Sequence, residues 1–98
     1  MFYLTLSGKI PTLKQSEFEG TASLVSTQIP LGCISHGFFR DKSDLDTYRF
    51  FTYWNSIEDL ERFKKSSAYI ILTTAFSHLG KIIETQQGRR DEVPIFHA

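Results

Sequence analysis

The segment Tyr48-Arg-Phe-Phe-Thr-Tyr-Trp-Asn-Ser56 leaves a short chain few ways to fold. It reads as a strand with large rings on both faces. Side chains alternate along a strand, so Tyr48, Phe50, Thr52 and Trp54 point one way and Arg49, Phe51 and Tyr53 the other. A half-solvated antiparallel strand would alternate apolar with polar residues instead. Both faces of the sheet that holds this strand should therefore be covered. One set of helices covers one face, and the other calls for a partner chain or a ligand.

The rest of the chain supplies the sheet. Phe2 to Ile10 alternates as a strand, and Pro11 with the Thr12/Gln15 spacing opens a helix whose stripe is Phe18, Ala22, Val25 and Ile29. Pro30-Leu-Gly32 stops that helix. Cys33 to Arg40 and Thr47 to Trp54 form a hairpin across the polar loop 41–46. Ser56 and Asp59 mark the start of a short helix carrying Ile57, Leu60 and Phe63. Ser66-Ser67 opens the longest helix. Its stripe of Ala68, Ile71, Leu72, Ala75, Phe76, Leu79, Ile82 and Ile83 is expected to run to Gly88. The tail Val93 to His97 is expected to be a last strand, held to an edge by Pro94. The order β-α-β-β-α-α-β is that of an α+β, ferredoxin-like fold, an antiparallel sheet with helices on one face. Two such sheets face to face would cover the second aromatic face, so a homodimer built as an α+β barrel is expected.

At 98 residues the chain fits one domain spanning 1–98. Eleven basic and eleven acidic residues cancel, which argues against nucleic acid or an anionic membrane as the partner. Cys33 is the single cysteine, so no internal disulfide or cysteine metal cluster forms. No apolar run approaches the ~20 residues that span a bilayer, and the first residues lack a basic signal region. A cytoplasmic chain is the expectation.

In this order the residues resemble the antibiotic-biosynthesis-monooxygenase-like family of dimeric α+β barrels. The resemblance runs from about Phe2 to Gly88. It rests on Gly32-Cys33 opening the second strand, on Trp54-Asn-Ser56 ending the third, and on Leu60 in the helix that follows. It implies cofactor-independent oxygenation of a small aromatic compound such as a phenol, quinol or anthrone. Two positions depart from the family pattern: Thr52 stands where many members have Glu, and Phe63 where many have His. The haem-degrading branch keeps an Asn, a Trp and a His that this chain lacks at the matching places, so haem degradation is not expected.

Such chemistry needs a dry aromatic pocket and a proton acceptor. Trp54, Phe38, Tyr48 and Phe50 are the expected pocket residues, and His36 and His78 the expected catalytic bases, because a neutral imidazole is poised near physiological pH. Each has a plainer reading. Trp54 also reads as a plain core residue, His36 as a strand filler, and His78 as the boundary of a helix stripe beside Ile71 and Ile82. Cys33 reads as a small buried hydrophobe. No glycine-rich phosphate loop, helical metal-binding His pair or nucleophile elbow is present. No cofactor or metal is expected. The competing reading is a non-catalytic barrel that binds a small apolar ligand or serves as an interaction module.

Overall fold

The structure, a computed structural model, describes residues 1–90. Strands β1 (Phe2–Lys9), β2 (Cys33–Arg40), β3 (Thr47–Trp54) and β4 (Lys81–Arg89) form one antiparallel sheet in the order β2-β3-β1-β4. Helices α1 (Gln15–Ser26), α2 (Ile57–Lys64) and α3 (Ser67–Leu79) supply the other layer. This is the ferredoxin-like α+β arrangement. No helix among the described residues is long and apolar enough to cross a membrane.

Register assigns the two faces. β1 and β3 pair Leu4 with Thr52 and Leu6 with Phe50, and these residues are buried with Trp54 and Tyr48 under the helices. Tyr3 opposite Tyr53 and Thr5 opposite Phe51 lie on the outer face. Phe18 of α1 meets Phe76 of α3 edge-on at 4.6 Å. Phe63 of α2 stands 5.2 Å from Trp54, 5.4 Å from Tyr69 and 6.3 Å from Phe50, measured between ring centroids. Burying each large side chain of this cluster is worth about 1.5–3 kcal/mol.

The helix starts follow local chemistry in two cases and tertiary chemistry in the third. Ser56 accepts from the Asp59 amide and Ser66 from the Tyr69 amide, capping α2 and α3. At α1 the expected Thr12/Gln15 box does not form. Residues Thr12–Lys14 make a single 3-10 turn, and the buried Gln15 side chain turns inward instead. Its Nε2 donates to Ile10 O and to Asp46 Oδ1, each at 3.0 Å. The helix also stops short of Ile29, ending at Ser26, and Ile29 packs against the core from the following turn.

The long helix expected to reach Gly88 ends at Leu79, and 81–89 is the fourth strand. Gly80 takes φ −163°, and a Cβ there would lie 1.9 Å from the Lys9 carbonyl oxygen. The chain must pass this close to β1 in order to pair with it. Pairing along eight positions of β1 then outweighs the continued helical spacing of Ile82 and Ile83. A bulge between Ser7 and Gly8 marks where the new strand joins. The tail strand expected at 93–97 lies outside the described residues.

Candidate functional site

Helix α1 stands beside the β2-β3 hairpin with an open cleft between them. A classical register would put alternate residues of β2 on one face. An irregularity between Cys33 and Ser35 shifts this, so that Cys33 lies opposite Trp54 while His36 lies opposite Thr52, Phe38 opposite Phe50 and Arg40 opposite Tyr48. All four therefore lie on the helix side of the sheet.

The cleft, of about 300 Å³, is lined by Phe18, Ala22, Phe38 and Tyr48 together with the exposed Glu19, Ser23 and Arg40. Its apolar wall is continuous with the core: the Phe38 ring lies 4.6 Å from Phe50, and the Phe18 ring 4.9 Å from Tyr48. Its polar side is a small network. The Tyr48 hydroxyl donates to Glu19 Oε2 at 3.1 Å. Burial raises the Tyr48 phenol above its ordinary value, the Glu19 carboxylate raises it further, and Arg40 opposes both. The Arg40 guanidinium lies 5.9 Å from the Tyr48 ring centroid, donating through Nη2 to Gln15 Oε1 at 2.6 Å and through Nε to the Leu45 carbonyl at 2.7 Å.

The residues singled out from the sequence fall in different places. Phe38 and Tyr48 line the cleft. Trp54 and Phe50 are wholly buried in the core. The Trp54 indole donates to Thr52 Oγ1 at 2.9 Å, and that hydroxyl donates in turn to Leu4 O at 3.1 Å. Thr52 thus serves as the polar partner of the tryptophan, while Phe63 fills the space beneath it. His36 is exposed on β2 and is not among the residues lining the cleft. His78 is exposed on α3, in a shallow groove with Glu17, Thr21 and Ile71. The structure does not gather the two histidines at the cleft. Burial raises the Cys33 thiol above its ordinary value, in keeping with a packing residue. Among the described residues no group of three or more metal-ligating side chains comes together.

Sequence reasoning missed Glu19 and Arg40. The pairing of Arg40 with Tyr48 was within reach, since it follows from the register of the hairpin. Glu19 was not, because nothing local says which residue of α1 crosses the end of β3.

The family model for antibiotic biosynthesis monooxygenase matches residues 15–70, more than half of the chain. The fold is shared with a conserved protein from Methanosarcina mazei Go1 at a TM-score of 0.80 and 15% identity, over 92% of each chain. It is shared too with a variant of SnoaB, a cofactor-independent oxygenase from Streptomyces nogalater, at a TM-score of 0.77 and 14% identity over 94% of each chain. A third structure, an antibiotic biosynthesis monooxygenase, superposes at a TM-score of 0.76 with 14% identity, over 96% of this chain and 100% of that one. A search of curated proteins finds no match. At these identities the structural likeness speaks for the fold, and the family model carries the assignment: the chain belongs to the antibiotic biosynthesis monooxygenase family.

Proposed function

We propose that the protein is a cofactor-independent monooxygenase acting on a small aromatic compound of the quinol, phenol or anthrone class, bound in the α1/β2-β3 cleft. The observation that carries this reading is the Tyr48–Glu19 hydrogen bond at the polar side of an aromatic-walled cleft. An electron-rich ring stacked beside Phe38 and Tyr48 would present its acidic C–H or O–H to Glu19, whose Oε2 accepts from Tyr48 while Oε1 takes the proton. The carbanion or phenolate so formed gives its electrons to O2. Loss of water from the resulting hydroperoxide then turns an anthrone CH2 into a C=O, so that CH2 plus O2 gives C=O plus H2O. The description of SnoaB as cofactor-independent supports the absence of a flavin or metal from this scheme.

Oxygen uptake with a panel of quinols and anthrones tests the reading. Glu19→Gln is expected to lower turnover by roughly 10²-fold, the usual weight of a positioned base. The His36→Ala, His78→Ala double variant, assayed beside it, is expected to match wild type. A loss confined to the double variant would give the proton acceptor role to an imidazole. No turnover by wild type above buffer would remove the enzymatic reading.

A second reading, a barrel that binds a small apolar ligand without converting it, is favoured by Thr52 and Phe63, which stand where many members of the family have Glu and His and supply neither a carboxylate nor an imidazole. Thermal stabilisation by aromatic metabolites without oxygen uptake would select it. In either case the working unit is proposed to be a homodimer joined through the outer face of the sheet. The family's dimeric barrels support this, as do Phe39, 45% exposed, and the neighbouring Phe51 on that face.

A further inference from the structure

We propose that Arg40 makes the cleft selective for aromatic ligands that carry a carboxylate. The inference rests on the reading above that the cleft receives an aromatic ring, and it adds the ligand's charge. A guanidinium has five N–H donors. In Arg40 the Nε–H goes to the Leu45 carbonyl and one Nη2–H to Gln15 Oε1, both neutral acceptors. Among the described residues, the two N–H groups of Nη1 and the second of Nη2 have no hydrogen-bond partner, and no carboxylate lies within ion-pair distance of Arg40. The other paired cations contrast with this: Lys9 meets Asp44, Arg49 meets Asp41, Arg62 meets Asp59 and Lys64 meets Glu61.

The guanidinium is also held in place before any ligand arrives. Gln15 is 6% exposed and anchored by Ile10 O and Asp46 Oδ1, so its Oε1 is a fixed acceptor. An arginine held at two points, with three donors left over, loses little freedom on binding and offers a carboxylate two parallel hydrogen bonds. The negative groups nearby are Glu19, already accepting from Tyr48, and Asp46, behind Gln15. Neither is bonded to Arg40. A ring against Phe38 and Tyr48 with its carboxylate at Arg40 would keep its opposite edge toward the Tyr48–Glu19 pair.

Calorimetric titration of the full chain with 1-naphthoate and 1-naphthol, which differ in charge but share a ring system, tests this. The wild type is expected to bind the carboxylate about tenfold more tightly, the weight of one charge-assisted bidentate contact at a partly exposed site. Arg40→Met should abolish the preference and leave naphthol affinity within about twofold. Glu19→Gln should tighten naphthoate alone, by roughly two- to fivefold, because it removes the like charge across the cleft. Should Arg40→Met fail to fold, nitrogen-15 spectra of the wild type replace it: naphthoate must shift the Arg40 Nε–H resonance and naphthol must not. Equal affinities in the wild type, a preference that survives Arg40→Met, or no binding of either probe would overturn the proposal. A naphthoate preference without oxygen uptake by any substrate would leave Arg40 its role and remove the catalytic reading. Turnover of neutral quinols without the preference would do the reverse.

Discussion

Single residues show how the core is completed around Trp54 and how the cleft is lined. Thr52 is fully buried, and its hydroxyl is the acceptor for the Trp54 indole. Thr52→Val keeps the shape but leaves that N–H buried without a partner, so it is expected to cost about 1–3 kcal/mol in urea unfolding. A variant within error of wild type would show that the indole finds another acceptor. The meaning of Trp54 was half legible. Its ring was expected in a pocket or in the core, and the core holds it, because Phe63 closes the space a ligand would need. Phe38 and Tyr48 belong to the cleft because Phe38 pairs with Phe50 and Arg40 with Tyr48, and alternation along each strand puts all four on one face.

At the scale of elements, caps, loops and tight approaches carry the predictions. Ser56→Ala and Ser66→Ala each remove the side-chain acceptor at a helix start and are each expected to lower stability by about 1 kcal/mol. Gly80→Ala should do more, about 1–3 kcal/mol from overpacking, since its Cβ would press on the Lys9 carbonyl where β4 joins β1. Thermal melts separate these ranks. The loop 41–46 adds a pH dependence. Asp41, held by the Ser43 and Asp44 amides and by Arg49, lies below its ordinary value of 3.8, as does Asp44, held by Lys9, Thr47 and the Asp46 amide. A carboxyl lowered on folding stabilises fully above its unfolded value and loses that contribution as pH falls through the lower, folded one. The melting temperature is therefore expected to stay flat above about pH 5 and to decline below about pH 4, less steeply in Asp44→Asn. An unchanged slope in that variant would remove Asp44 from the account.

For the whole molecule the question is what covers the outer face of the sheet. Sedimentation at micromolar concentration is expected to show a dimer, and Phe39→Asp is expected to shift it toward monomer. A monomeric wild type would remove the dimer proposal. The boundary of α3 shows how the wider fold overrules a local pattern. Ile82 and Ile83 continue the spacing of Leu79, yet they lie in β4, because the ladder with β1 joins residues more than seventy positions apart. No window of sequence contains that partner.

Alternation, turn residues and capping serines were enough to specify an α+β sheet with helices on one side, the β2-β3 hairpin and the starts of α2 and α3, since each depends on neighbours within a few positions. The end of α3, the inward turn of Gln15 and the meeting of Glu19, Tyr48 and Arg40 depended on folding. The first rests on the ladder between β1 and β4, and the others on contacts between α1 and a hairpin about thirty residues away. Their energies come from packing and from hydrogen bonds that exist only once the sheet has brought the segments together.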